Sequence, residues 1–291
     1  LDDTVIIRPP SEASSLLLPV TVGCSHNRCT FCGTFTQFQF SVRDIKDITR
    51  DIDRVAASYP GNVRRVFLEN GDALAAPTPL LAEVLRQLRA KFPNLERAGT
   101  YATPRAALEK TPEELKELHE LGLEIAYLGV ETGDEELLKK VKKGATYDQI
   151  VEAGRRIMAA GITLSVTVIL GLGGVEGSER HARATARILT DIDPDYAGAL
   201  TLMLVPGSEL YGDWEAGRFE LISPLQSLRE LRTIVAESNF TDCFFTANHA
   251  SNYLPIRARL PEQKAELLKL LDGVLASGDA SRLRPESYRA L

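Results

Sequence analysis

Three of the four cysteines in this 291-residue chain, Cys24, Cys29 and Cys32, fall in Val22-Gly23-Cys24-Ser25-His26-Asn27-Arg28-Cys29-Thr30-Phe31-Cys32-Gly33. Packing does not explain such crowding, because a buried structural cysteine needs no cysteine neighbours. Thiolates in a C-x4-C-x2-C spacing are soft ligands, suited to an iron–sulfur cluster or zinc. Three of them leave one position of a four-metal cluster open, where a substrate or cofactor can bind. A disulfide would strand the third thiol, and the chain shows no secretory signal. Zinc would want a fourth ligand, and His26 stands only two residues after Cys24, closer than ligands usually follow one another in zinc motifs. An iron–sulfur cluster on three cysteines is therefore the expectation. The rival is a non-catalytic iron–sulfur or zinc protein, an electron carrier or scaffold, with Cys243 as a fourth ligand.

The loop must be positioned by regular elements. β-Branched runs predict strands at Leu16–Val22, Val63–Glu69, Arg97–Ala102, Glu124–Val130, Thr163–Leu170, Ala197–Leu204 and Cys243–Ala247. Helical stripes lie between them: Ile45, Ile48, Ile52 and Val55; Leu80, Leu81, Val84, Leu85 and Leu88; then Leu115, Leu118 and Leu121. Later stripes are Ile150, Val151, Ile157 and Met158, then Leu225, Leu228, Leu231 and Val235, with a last helix from Pro261 to Leu275. Thr111-Pro112-Glu113-Glu114 and Thr146-Tyr147-Asp148-Gln149 read as capping boxes, and Pro79 follows an N-cap at Thr78.

This alternation predicts an α/β fold with parallel strands, a partial (β/α)6 TIM-like barrel with a short C-terminal helical extension. A single domain is expected over 1–291, with its core at about 16–210 and a substrate-side extension at about 211–291. Active residues of such folds lie where strands end. Here those ends turn polar or glycine-rich: the cysteine loop, Glu69-Asn70-Gly71-Asp72, Tyr101-Ala102-Thr103-Pro104-Arg105, Gly129-Val130-Glu131-Thr132-Gly133, Leu170-Gly171-Leu172-Gly173-Gly174, and Val205-Pro206-Gly207-Ser208.

Over residues 16–210 this combination resembles the radical S-adenosylmethionine (SAM) superfamily, with the cysteine loop as its specific part. The common family spacing is C-x3-C-x2-C, and this chain carries one residue more between Cys24 and Cys29. The texture Gly-Val-Glu-Thr-Gly followed by Ile-Leu-Gly-Leu-Gly-Gly is similar to the branch holding oxygen-independent coproporphyrinogen oxidase and the methylthiotransferases. The resemblance implies an oxygen-sensitive [4Fe-4S] cluster on Cys24, Cys29 and Cys32, and a bound SAM cleaved to a 5′-deoxyadenosyl radical. It implies SAM contacts from Phe31, from Asn70, Gly71 and Asp72 at the methionyl amine, and from Glu131 near the ribose. Ile169, Gly171 and Gly173 are implied at the adenine. An external electron donor such as flavodoxin or ferredoxin is implied too.

The remaining candidates are weaker. His249, Tyr101 and Arg105 are offered as catalytic, substrate-side residues, with Asn252 beside His249. His26 and Arg28 are expected to tune or cap the cluster. Cys243 reads as a buried inert thiol, His119 as a core or boundary histidine, and His181 as indistinguishable from surface. Lys139-Lys140-Val141-Lys142-Lys143 reads as a solvated helix end. A net charge of −6 argues against a nucleic-acid partner. No apolar run is long enough to span a bilayer. The chain starts at Leu, which leaves room for an N-terminus further upstream, and a reducing cytoplasm is the expected setting. The absence of a second cysteine cluster disfavours a methylthiotransferase. A small-molecule substrate is expected, with a peptide or protein substrate as the second choice.

Overall fold

The computed structural model describes residues 8–59 and 61–290. Its regular elements, in chain order, are β1 (Leu16–Pro19), β2 (Thr21–Val22), β3 (Ser41–Val42), α1 (Ile45–Ser58), β4 (Arg65–Glu69) and α2 (Thr78–Lys91). Next come β5 (Arg97–Ala102), α3 (Pro104–Glu109), α4 (Pro112–Glu120), β6 (Leu123–Glu131), α5 (Glu135–Lys140), α6 (Tyr147–Ala159), β7 (Thr163–Leu170) and α7 (Gly174–Ile192). The series ends with β8 (Tyr196–Thr201), α8 (Glu209–Glu215), α9 (Pro224–Glu237), β9 (Cys243–Thr246), β10 (Arg257–Leu260) and α10 (Lys264–Ser277).

The described residues cluster into two compact units. One comprises the chain through Arg28, Thr34–Leu128 and Glu152–Leu164; the other comprises Cys29–Gly33, Gly129–Val151 and the residues from Ser165 onward. In the first unit β1, β4, β5 and β6 run parallel in that order, with Leu16 opposite Val66, Arg65 opposite Arg97 and Ala98 opposite Leu123. Side chains alternate across a strand. Val66, Leu68 and Ala98 therefore share one buried face, while Leu17, Phe67, Tyr101, Ile125 and Tyr127 pack together on the other. In the second unit β7, β8 and β9 are parallel, and β10 closes on β9 as an antiparallel neighbour. Helix α7 packs on α9, and α9 on α10. No described helix is long and apolar enough to cross a membrane.

Several expectations need adjustment. The first strand breaks at Val20, whose amide donates to the Glu69 carbonyl (3.1 Å) while its carbonyl accepts from the Arg43 amide (2.9 Å). The residues beyond the break, Thr21 and Val22, pair with Ser41 and Val42 instead. The N-cap of α2 is Pro77 rather than Thr78, whose hydroxyl accepts from Lys110 Nζ at 3.2 Å. Both capping boxes form. Helix α7 carries no leucine stripe in the sequence, because its buried face opens with Ser178, His181, Ala182, Thr185 and Ala186.

Candidate cluster and cofactor site

In the first unit the chain reaches Cys24 through tight backbone contacts. Gly23 (φ +75°) and Gly71 (φ +91°) both occupy the left-handed region that glycine tolerates best. A Cβ on Gly71 would press into the Gly23 carbonyl and lie 2.9 Å from the Cys24 amide nitrogen. Asn70 also has positive φ (+91°), and its carbonyl accepts from Thr21 Oγ1 at 2.6 Å. Asp72 is fully buried; it accepts from the Thr103 amide (3.2 Å), from Thr103 Oγ1 (2.8 Å) and from the Ser25 hydroxyl. Asp72 therefore ties the cysteine loop to the end of β5. Asn27, at φ +46°, donates to the carbonyls of Phe35 (2.8 Å) and Phe38 (3.2 Å) and folds the loop's far side.

In the second unit, Cys29–Gly33 is anchored by backbone bonds. Thr30 donates to Val141 O (3.0 Å) and accepts from the Leu210 amide (2.8 Å), while the Cys32 amide closes a turn on Cys29 O (3.1 Å). A Cβ on Gly33 would meet Val205 Cγ1 at 2.7 Å, so only glycine lets this segment lie so close. Phe31 and Ile169 pack against one apolar cluster of Leu137, Val141, Leu172, Leu202, Leu210 and Phe219. Cys24, Cys29 and Cys32 are half-buried, and none is in a disulfide. Among the described residues no three His, Cys, Asp or Glu side chains gather as a single ion would require. A four-iron cube takes one thiolate per iron and needs no such convergence. An all-thiol donor set on a backbone-tethered loop fits an iron–sulfur cluster.

Glu131 ends β6 with φ +64°, a conformation that costs a non-glycine residue on the order of 1 kcal/mol. Its carboxylate accepts from Lys143 Nζ at 2.8 Å, with the two side chains only 12% and 9% exposed. Lys143 is therefore not part of a solvated helix end. Gly129 leaves room for the pair, since a Cβ there would lie 2.9 Å from Lys143 Nζ.

Behind Ile169 and Gly171 lies a buried polar network. His181 Nε2 bonds the Ile169 carbonyl (3.0 Å), and its Nδ1 bonds Thr132 Oγ1 (2.7 Å). Glu230 accepts from the Gly171 amide (2.7 Å) and Ser178 Oγ (2.6 Å), and lies 3.8 Å from His181. Burial pulls the His181 pKa down to about 4, against the Ile169 carbonyl and Asp134. Burial pushes Glu230 up to about 7, opposed by Ser178 and Gly171. His181 is thus a core residue, not a surface one. Gly173 sits where a Cβ would meet the Gly177 backbone at 3.1 Å, so it serves the packing of α7.

Of the substrate-side candidates, Tyr101 stays on the inner face, 5.0 Å from Phe67 between ring centroids, with burial raising its hydroxyl pKa well above the ordinary value. Arg105 does not: Thr103 caps α3, and Arg105 lies exposed on it, bonded to Glu109 at 2.6 Å. Asn252 is consumed by the Ala199 carbonyl (2.9 Å) and Thr201 Oγ1 (2.9 Å). His249 is half-buried; its Nδ1 accepts from the Ser251 amide (3.1 Å), which leaves the proton on Nε2. Burial and then Arg284 lower its pKa, so it is neutral at physiological pH. His26 is half-buried and Arg28 exposed. His119 lies at a boundary, 3.4 Å from the Leu123 carbonyl. Cys243 is fully buried at the start of β9, with its pKa pushed up to about 12, chiefly by burial. The Cys29–Gly33 segment joins residues beyond the ends of β6 and β8, so Cys243 lies at the wrong end of the strands to serve as a fourth ligand.

A sequence profile described as the radical SAM superfamily matches residues 18–184. The 4′-phospho-dehydrooxetanocin synthase of Priestia megaterium is 28% identical over 174 residues, 54% of this chain and 23% of that protein. The tRNA uridine(34) acetyltransferase of Methanocaldococcus infernus is 27% identical over 109 residues, 37% of this chain and 20% of that protein. The chain thus spans a quarter or less of the length of the curated relatives it matches. Among solved structures, coproporphyrinogen III oxidase from Escherichia coli superposes with a TM-score of 0.58 at 18% identity, over 76% of this chain and 51% of that one. Methylornithine synthase gives 0.54 at 18% identity, over 78% and 63%. At such identities the likeness speaks for the fold: α/β, mostly parallel, of the partial-barrel kind.

Proposed function

Belonging to the radical SAM superfamily, this chain is an enzyme whose cofactors are a [4Fe-4S] cluster and SAM, and we propose that Cys24, Cys29 and Cys32 hold the cluster. The observation that carries this assignment is the set of three half-buried cysteines, none in a disulfide, on segments held by backbone contacts at Gly71, Val141 and Gly33. Bound together, cluster and SAM supply a 5′-deoxyadenosyl radical that takes hydrogen from substrate.

The chain's own residues bind and orient. The backbone of Asn70 and Gly71 faces the methionyl amine, and Asp72 acts from behind by fixing Ser25. Glu131, held by Lys143, receives the ribose hydroxyls. Phe31 and Ile169 give the adenine an apolar wall, with the Gly171 turn beside it. Tyr101 and His249 stand on the substrate side. A single catalytic domain over 1–291 works in the cytoplasm with an external one-electron donor such as flavodoxin or ferredoxin. The substrate is a small or medium-sized molecule.

The test is anaerobic. The protein is reconstituted with iron and sulfide, reduced with dithionite and given SAM, and 5′-deoxyadenosine and methionine are quantified against a Cys24/Cys29/Cys32→Ala control. Cysteine-dependent 5′-deoxyadenosine is the expected result. A cluster that forms without binding SAM would overturn the reading in favour of a non-catalytic iron–sulfur protein.

A further inference from the structure

Among the described residues of the first unit, the buried carboxylates Glu12 and Asp72 are fully partnered and Glu69 is not. Glu12, fully buried, accepts from Tyr127 Oη (2.5 Å), Arg97 Nη2 (2.6 Å) and the Ser15 hydroxyl. Asp72 is satisfied by Thr103 and Ser25. Glu69 is only 4% exposed, and its Oε2 is buried without a hydrogen-bond partner. A buried polar atom left unpaired is costly, and native folds retain few of them. Burial raises its pKa above the ordinary carboxyl value, and attraction from Arg8 offsets part of that.

The position of Glu69 is as informative as its isolation. It ends β4 and immediately precedes Asn70-Gly71. It alternates with Leu68 and so shares the inner face with Phe67. Leu68 pairs with Thr100 across the parallel ladder, so the next pair along is Glu69 and Tyr101. Tyr101 stands edge-on to Phe67 on that same face. A carboxylate walled by aromatic rings at the carboxyl end of a strand is suited to a cation. A neutral donor would leave the buried charge uncompensated, whereas an ammonium pairs with the carboxylate and is also attracted to the rings.

We infer that Glu69 is a substrate-binding residue whose free carboxylate oxygen receives the ammonium group of a substrate carrying a protonated primary amine, beside the Tyr101 ring. This assignment rests on the proposed radical SAM reading and supplies its substrate class.

The probe is n-butylammonium chloride, with n-butanol as its neutral counterpart, added to the anaerobically reconstituted holoprotein while the melting temperature is read. The wild-type Tm is expected to rise saturably with n-butylammonium and not with n-butanol, and Glu69→Gln is expected to lose the rise. Without ligand, Glu69→Gln is expected to melt at or above the wild type, because it removes an unpaired buried charge. A lower Tm would make Glu69 structural and overturn the inference. So would an equal n-butylammonium shift in the variant, or no saturable shift in the wild type. If Glu69→Gln gives no soluble protein, Glu69→Met, matched in volume, carries the same comparison. The cluster's EPR signal is also recorded with and without SAM. Loss of the SAM-induced change in Glu69→Gln would hand Glu69 to the amine of SAM and overturn the substrate assignment. Cysteine-dependent 5′-deoxyadenosine without a Glu69-dependent amine effect removes this inference alone. The opposite pair of results removes the radical SAM reading instead.

Discussion

The buried pair His181 and Glu230 should conceal two opposing pH dependences. His181 is neutral in the fold, with its pKa lowered from 6.5 to about 4. The unfolded chain takes up a proton there first, so this residue costs stability as pH falls from about 6.5 towards 4. Glu230 is shifted the other way, from 4.5 to about 7. The folded chain keeps a proton that the unfolded chain has released, so stability is lost as pH rises from about 4.5 through 7. Each pH unit between folded and unfolded pKa values is worth about 1.4 kcal/mol. Between about pH 4.5 and 6.5 the two slopes oppose and largely cancel in the wild type.

Glu230→Gln removes one slope and keeps an acceptor for the Gly171 amide. Its stability should climb by roughly 3 kcal/mol from pH 4.5 to 6.5, the work of two pH units on His181 alone. His181→Gln, which keeps a donor for the Ile169 carbonyl, should show the mirror image, falling by a similar amount between pH 4.5 and 7. Urea denaturation followed by circular dichroism at half-unit pH steps measures both. Parallel profiles for Glu230→Gln and the wild type would refute the argument, because they would mean that Glu230 ionises at its ordinary pKa in the fold.

Gly71→Ala forces a Cβ against the Gly23 carbonyl at φ +91°. It should cost about 1–3 kcal/mol and lower the iron and sulfide bound per chain; wild-type cluster content would show that Gly71 does not position the loop. Lys143→Met leaves Glu131 buried without its cation and should destabilise the fold by about 3–5 kcal/mol. The double variant with Glu131→Gln should recover most of that loss, and a double variant as unstable as the single would deny the pair its role. Cys243→Ala should retain the wild type's iron and sulfide content, whereas loss of the cluster would restore Cys243 as a ligand.

What could be read from the sequence follows from how local each signal is. The proposed ligation by Cys24, Cys29 and Cys32 rests on residue type and spacing within one loop, and all three are half-buried there with none in a disulfide. The main strands and the capping boxes are equally local, resting on alternation and on partners three residues apart. The errors arise where satisfaction is settled far along the chain. Asn252, in a polar stretch, resembles a recognition group until Ala199 and Thr201 claim its amide from the neighbouring strand. Lys143 looks solvated within a run of lysines, yet the αL turn at Glu131 brings a carboxylate to it across 12 residues. His181 and Glu230 are single polar residues on unrelated helices, and only the packing of α7 on α9 makes them neighbours. Arg105 differs for a nearer reason: Thr103 starts a helix one residue after β5 ends, and Arg105 lies on that helix's exposed side, bonded to Glu109. Glu69 inverts the pattern. Its position at a strand end is visible in the sequence, but its unpartnered, buried Oε2 emerges only from the fold, and for that reason it bears the substrate assignment.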